Sequence, residues 1–520
     1  MFPHEAQLLQ EETRSYINRT ISHFQHQFTS IIDSLLQSLQ QHISLPNVDI
    51  IKFQLDSLKK LPPVISNSSI AYLPEDQYKA ITTLSNVMGS HNNQWPYFFL
   101  TGAAGTGKSF IIHHFRMHLQ RMRKKYLVLA PTGVAAQNID GATIHSALKI
   151  SSTATNYSSY QTLIFDSENL QIEMRQINTL IIDEVSMVSA SLLTFISDLF
   201  ARLHQNHRPF GGINVLLAGD LFQLPPVHGS TVFNAPVWQL FYPLFLHTSQ
   251  RQAGHDNFLR LLGEVRIGRI SDVSWQMLET KHSQYSNTVT CLNSFNTTSI
   301  VGYKQSAEHI NISLCNLLEV AHEDNILLSK AIDKLNGENW NTEHSQHMFK
   351  KHTNLPVEVR LQIGARVMFL TNDMIAQGIC NGTIGVVTDV DRQSERIHVA
   401  FIGTARLMHT IVSPKTSYFT INGMNASRRQ FPLQNCFALT VHKCQGLTLP
   451  HISLFLDDQF FAVGQAYTAL SRAPSWDVVD IPCLNKTAFS IDTAVLNEYE
   501  RLQQKAISLP FFLSPQYQPS

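Results

Sequence analysis

What this 520-residue chain lacks narrows the field first. It has no net charge, because thirty-nine Lys and Arg residues balance thirty-nine Asp and Glu, and only 15% of positions are charged at all. Nucleic-acid binding usually leaves a basic footprint, so composition gives it no support and any such role must come from local motifs. The six cysteines, Cys291, Cys315, Cys380, Cys436, Cys444 and Cys483, form no C-x-x-C pair. That suggests neither a zinc knuckle nor a disulfide framework and fits a reducing compartment. No apolar run approaches the length that spans a bilayer, so no membrane partner is expected. Glu5, Glu11 and Glu12 argue against a secretory or mitochondrial presequence, and the nucleus or cytosol is expected.

The chain is too long for one compact core, so several domains are expected. Near the N-terminus Ile17, Ile21, Phe24, Phe28, Ile31 and Leu35 recur at spacings of four and three, drawing one apolar stripe down a helix. The stripe covers too few heptads for a coiled coil, so a helix docked on the rest of the chain is preferred, with recruitment of a protein partner as the alternative. From Leu73 to about Gln250, short apolar runs alternate with helical stretches, the pattern of a parallel α/β sheet. The runs are Tyr97–Leu100, Tyr126–Ala130, Leu180–Ile182 and Val215–Leu217. Each is followed by a polar or Gly-rich cluster, and ligands of open α/β sheets bind beyond the carboxyl ends of strands. Residues 360–425 are instead β-rich, with Asn381-Gly382 as a turn signal, which predicts a small inserted β-barrel.

Gly102-Ala103-Ala104-Gly105-Thr106-Gly107-Lys108-Ser109 matches G-x-x-x-x-G-K-[ST] between a strand and the helical run Phe110–Leu119. Glycines let the backbone curl so that its N–H groups face phosphate beside a helix N-terminus. Lys108 would reach the β- and γ-phosphates of ATP, and the Ser109 hydroxyl would bind Mg²⁺. Leu180–Ile182 delivers Asp183 to the same metal and Glu184 to an attacking water; by themselves two adjacent carboxylates could equally be a solvated corner. Gln223, in Gly219-Asp220-Leu-Phe-Gln223-Leu-Pro225-Pro226, could sense the γ-phosphate or be a polar loop residue pinned by prolines.

Taken jointly, these motifs resemble the superfamily-one helicases of the PIF-one type, over about Leu73 to Arg472. Leu73-Pro-Glu-Asp-Gln77 is similar to the adenine-reading Q motif, and Ala130-Pro-Thr132-Gly133 through Asn138, with Gly141-Ala-Thr143-Ile-His145, to motif Ia. Asp183-Glu184 resembles motif II, and Gly219-Asp220 through Pro226 motif III. Thr440-Val-His442-Lys443-Cys-Gln445-Gly446 resembles motif V, and Gly464-Gln465-Ala-Tyr467 through Arg472 motif VI. The resemblance implies two RecA-like lobes with ATP between them: a first lobe over 63–250 and a second over 251–356 and 430–500. A barrel of SH3-like type over 357–429, an N-terminal helical segment over 1–62 and a tail over 501–520 complete the expectation. It also implies 5′-to-3′ movement of a monomer on single-stranded and forked DNA, with roles in DNA repair, recombination or telomere maintenance. Gln77 would join the phosphate loop in holding the nucleotide. Arg472 and Arg251 would be arginine fingers from the second lobe, and Thr132, Gly133, His145, His442 and Lys443 would grip the strand.

Cys444 stands where the family commonly has serine, and the helix Ser191–Arg202 keeps the family's apolar scaffold without several of its polar positions. The helicase module of a Helitron-type mobile element is therefore an alternative origin. Its nuclease would be missing, since no two of the twenty-four histidines stand two residues apart. A translocase that does not unwind, and a remnant kept only for binding, are the rival functions. The intact Lys108, Asp183, Glu184, Gln223 and Arg472 argue against the remnant. The clusters His113, His114, His118 and His344, His347, His352 lack further ligands at useful spacing, so no zinc site is expected.

Overall fold

The computed structural model describes residues 51–508 apart from 53, 57–72, 90–96, 151–156, 158–161, 253, 289–294, 319–324, 341–347, 350–351, 375–376, 403–406 and 422–423. The N-terminal apolar stripe, Cys291, His344 and His347 lie outside the described residues.

The first lobe is a parallel sheet of β1 (Tyr97–Gly102), β2 (Tyr126–Ala130), β3 (Ala142–Thr143), β4 (Thr179–Ile182), β5 (Asn214–Gly219) and β6 (Tyr242–Leu246), in the order β3-β2-β4-β5-β1-β6. β1, β4 and β5 are buried along their whole length, which is why they appear in the sequence as continuous apolar runs. Alternate residues serve opposite faces. Phe98, Leu100, Ile181 and Leu216 meet α1 (Glu75–Gly89) and α2 (Lys108–Arg121), while Phe99, Leu180, Ile182 and Leu217 join a core on the other side. Following α3 (Gly133–Asn138), the helix α4 (Ala190–Leu203) seals that second face with Leu192, Leu193, Ile196, Leu199, Phe200 and Leu203. Ser189 caps it by accepting a hydrogen bond from Leu192 N at 3.2 Å. Register then sets the site: Thr101 lies opposite Gly219 and Ile182 opposite Leu217, so the turns after β1, β4 and β5 leave the sheet together.

At the seam between lobes lies α5 (Asp256–Arg266), followed by α6 (Asp272–Thr288). The second lobe opens with β7 (Thr298–Val301) and α7 (Lys304–Leu317). The β-rich insert is wider than the expected 357–429. Its strands are β8 (Ile326–Lys330), β9 (Ile332–Leu335), β10 (Glu338–Asn339), β11 (Glu358–Gln362), β12 (Arg366–Phe369), β13 (Ile384–Asp391), β14 (Arg396–Ile402), β15 (Leu407–Val412), β16 (Lys415–Ile421), β17 (Met424–Gln430) and β18 (Leu433–Asn435). A five-stranded antiparallel sheet, β15-β14-β13-β12-β18, shares one core with the β8–β11 ribbon through Val359, Leu361, Val367, Phe369 and Val399. The second sheet, β10-β9-β17-β16, is an arm with its own small core of Leu335, Phe349, Ile421 and Ala426. The chain then returns to the second lobe through β19 (Ala438–Thr440), α8 (Val441–Cys444), β20 (Ile452–Leu456), α9 (Gln465–Leu470) and β21 (Val479–Leu484), giving the parallel order β19-β7-β20-β21. At the edge strand β19, the buried Asn311 amide donates to Ala438 O at 3.0 Å and accepts from Ala438 N at 2.8 Å. It satisfies the groups a further strand would have paired.

The closing helix α10 (Thr493–Ser508) crosses the expected boundary at 500 and packs on the first lobe. Trp238 Nε1 donates to Glu498 Oε1 at 2.6 Å, Lys505 Nζ donates to Phe241 O at 2.9 Å, and Tyr499 reaches Thr101 at 2.8 Å. Residues 493–508 thus complete the first lobe, an assignment hidden from the sequence because the partners lie 260 and 264 positions upstream.

Within the arm Arg428 and Asp333, both buried, form a two-bond ion pair at 2.7 and 2.6 Å, with the guanidinium over the Phe349 ring. Asp333→Ala strands that cation and should lower stability by about 3–5 kcal/mol, read as a drop in the urea midpoint of the arm. Replacing both partners by Leu and Met should recover most of the loss.

Candidate nucleotide site between the lobes

The phosphate loop curls as its glycines predict. Gly105 and Gly107 take the left-handed values φ 84° and 86°, a region open to glycine at no steric cost. Lys108 opens α2, and its buried Nζ donates to Gly102 O at 2.7 Å and Ala103 O at 3.0 Å. Burial lowers its pKa, opposed by the charges of Asp220, Glu184 and Asp183. Ala104 N donates to Tyr467 Oη at 2.8 Å, so motif VI of the second lobe touches the loop directly. Gln77 Nε2 donates to Thr106 O at 3.0 Å, and a side chain at Gly107 would come within 2.7 Å of that amide. The glutamine expected to read adenine is thus buried against the loop backbone and braces it.

Ser109 Oγ donates to Asp183 Oδ2 at 3.3 Å. Burial, followed by the charge of Glu184, raises the Asp183 carboxyl to about 7. Glu184 adopts φ 49°, ψ 44°, a left-handed conformation that costs a non-glycine residue about 1–3 kcal/mol and often marks a working site. That conformation carries its carboxylate across the seam, where Oε2 accepts from Gln445 Nε2 of motif V at 3.2 Å. Gln445 is buried, and its Oε1 has no partner among the described residues.

Arg472 is buried and donates to Thr468 O at 2.9 Å, Leu447 O at 3.2 Å and Gln223 Oε1 at 3.4 Å. The last bond joins motif VI to motif III, so Arg472 and Gln223 meet at the seam. Arg251 needs a correction: it does not come from the second lobe. It follows β6 of the first lobe, where Gln250 N donates to Gly105 O at 2.8 Å, and a Cβ on Gly105 would come within 2.8 Å of Arg251 Cβ. Only its Nη1 reaches over, donating to Ser471 O at 2.9 Å. Burial, then the neighbouring Arg472 charge, lowers it to about 10.

One centre was not singled out from the sequence. Asp220 accepts two bonds from Arg266 Nε and one from Nη2, at 2.8–3.2 Å, one from Tyr467 Oη at 2.9 Å and one from Tyr499 Oη at 3.0 Å. Burial alone would raise this carboxyl, but Arg266 and then Lys108 hold it below the usual carboxylate range. The acid at a strand end was visible in motif III; Arg266 and Tyr499 carry no motif to announce them.

The strand-gripping candidates fall into two groups. Thr132 Oγ1 caps α3 by accepting from Ala135 N at 3.2 Å, and Gly133 lies beneath Asn372 and Asn381 of the insert. Asn138 Nδ2 donates to Gly446 O at 2.9 Å, which brings α3 against the motif V loop bearing His442 and Lys443. Lys443 Nζ donates to Gln434, and burial, then Lys304, lowers it to about 8. Burial lowers His442 and His145 as well. His145 stands apart, beside the Tyr157 hydroxyl at 3.4 Å.

A phosphate loop on one parallel-sheet lobe, completed by an arginine and a glutamine from another, defines a two-lobed P-loop nucleotide-binding protein. Residues 72–275 match the family model described as PIF1-like helicase. The ATP-dependent DNA helicase Pif1 of Bdellovibrio bacteriovorus is 30% identical over 416 residues, 78% of this chain and 88% of the relative. The human ATP-dependent DNA helicase PIF1 is 30% identical over 425 residues, 79% of this chain and 62% of the relative. A crystal structure of the Pif1 helicase from Bacteroides, in complex with ADP-AlF3 and ssDNA, superposes with TM-score 0.65 at 26% identity, covering 81% of this chain and 96% of that one. The chain belongs to the Pif1 helicase family. It spans 60% to 62% of the length of the mammalian relatives it matches.

The raised Asp183 carboxyl carries a stability consequence. Its folded pKa of about 7 lies above the ordinary carboxylate value, so the folded protein holds a proton that the unfolded chain has released. In chelator, stability should fall as pH rises from about 4 towards 7. Asp183→Asn should flatten that slope in urea titrations at stepped pH.

Proposed function

We propose that this chain is an ATP-dependent DNA helicase that moves 5′-to-3′ along single-stranded DNA and separates duplexes, acting as a monomer in nuclear DNA repair, recombination or telomere maintenance. The observation that carries the reading is the pair of bonds across the seam, Glu184 to Gln445 and Gln223 to Arg472, because they make a nucleotide site to which each lobe contributes. The Bacteroides relative, solved with ADP-AlF3 and ssDNA, supports both the nucleotide and the strand. Cys315, Cys380, Cys436, Cys444 and Cys483 are free thiols, in keeping with a reducing compartment.

In this mechanism the phosphate-loop N–H groups and Lys108 orient the triphosphate. Glu184 polarises the attacking water, positioned with the help of Gln223. Arg472 meets the charge that develops on the transferring phosphoryl group, with Arg251 beside it. Ser109 and Asp183 offer the hard oxygen donors that suit Mg²⁺, and the pairing of a hydroxyl with a buried carboxylate fits that ion. When bound, Mg²⁺ neutralises phosphate charge. Loss of the cross-seam bonds after hydrolysis frees the lobes to shift their grip on DNA through Thr132–Gly133 on one side and His442–Lys443 on the other. Opening one base-pair step costs about 1.4 kcal/mol, a modest load per cycle.

Lys108→Ala should abolish DNA-stimulated ATP hydrolysis; near-normal turnover would remove the site assignment. Arg472→Ala should retain nucleotide binding while slowing hydrolysis by about 10³–10⁵. Duplexes with 5′ or 3′ single-stranded tails test the function as a whole. Unwinding only from the 5′ tail is expected, whereas ATP turnover with every fork intact would make the protein a translocase.

A further inference from the structure

β19, β7 and β20 are neighbours and run parallel, so the residues that follow them leave from one edge of the second lobe. His442 and Lys443 follow β19, Tyr303 and Lys304 follow β7, and Phe461 sits in the turn after β20. Tyr303 and Phe461 are 49% and 62% exposed, yet their rings stack on each other with centroids 5.4 Å apart and planes 17° from parallel. The turns beneath them are locked together. A side chain at Gly302 would come within 1.9 Å of Gln459 O, so only glycine permits the approach. Ser306 Oγ donates to Gln459 Oε1 at 2.6 Å, and the Asp457 carboxylate accepts from the Gln459 backbone and side-chain amides, each at 3.0 Å. The aromatic pair is therefore preformed and exposed to water. Lys304, next to Tyr303 in the chain and paired with Glu308 at 3.6 Å, lies near enough to Lys443 for the two charges to interact.

We propose that Tyr303 and Phe461 form a ledge on which a base of single-stranded nucleic acid stacks, with its adjoining phosphate held by Lys304 and Lys443. The inference rests on the DNA-binding reading and adds to it a contact with bases on the second lobe. Stacking on an aromatic face suits a motor because every base presents a ring, so grip does not depend on sequence. The neutral composition points the same way: a protein without a broad basic field gains from contacts that do not use charge.

Binding of the full chain to fluorescent oligothymidylate, and to an abasic deoxyribose-phosphate strand of equal length, separates the outcomes. The wild type should prefer oligothymidylate. The double variant Tyr303→Ala, Phe461→Ala should lose about tenfold in affinity for it, with little change on the abasic strand. Tyr303→Phe, which keeps the ring, should bind as the wild type does. Equal wild-type affinity for the two strands would overturn the ledge without recourse to any variant. So would a double variant that binds oligothymidylate normally, leaving the helicase reading intact. A wild type that binds neither strand would remove the DNA reading and the ledge together.

Discussion

A carboxylate stripped of all water holds this molecule's parts in place. Asp220 has no exposed surface, and the groups that replace its hydration come from three distant stretches of chain. Arg266 arrives from the seam helix and lies beside the stacked Phe222 and Tyr499 rings, 4.4 and 5.0 Å from their centroids. Tyr467 arrives from motif VI and Tyr499 from the closing helix. Each hydroxyl that donates to Asp220 also accepts from a backbone amide: Tyr467 from Ala104 of the phosphate loop, Tyr499 from Leu221 of motif III. An uncompensated buried charge costs several kcal/mol, so none of these donors can withdraw cheaply. The phosphate loop, motif III and motif VI are consequently positioned by one shared anion as well as by the sheet beneath them.

The second constraint is steric. α3 is pressed between the insert and motif V: Gly382 approaches Val134 so closely that a Cβ would sit 1.9 Å from its Cγ2, and Gln137 Nε2 donates to Gly378 O at 2.8 Å. Asn138 supplies the bond to Gly446 on the other side. Both lobes and the insert thus meet on a helix of six residues. The surface they share is built from amides and small side chains with few charges, which accords with a chain of no net charge.

What could be read from the sequence was local. The phosphate loop, Asp183-Glu184 and the strands before them announce themselves within a few residues, because glycine geometry and buried parallel strands leave short patterns. Gln223 and Arg472 were legible only through the motifs around them, and the structure joins the two. Arg251 was placed in the wrong lobe because it stands at a boundary that no composition change marks. The insert was underestimated because β8 to β10 are brief, half-exposed strands whose partners, such as Ala426 opposite Leu335, lie far along the chain. Arg266 and Tyr499 stayed hidden for the same reason. Their meaning lies wholly in a partner 46 or 279 positions away.

The return of α10 to the first lobe means that the chain passes the seam twice, outward after Leu246 and back before Thr493. A body tethered at one point can swivel in any direction; one tethered at two can turn freely only about the line through both. Two covalent links in place of one narrow the ways in which the lobes can turn against each other.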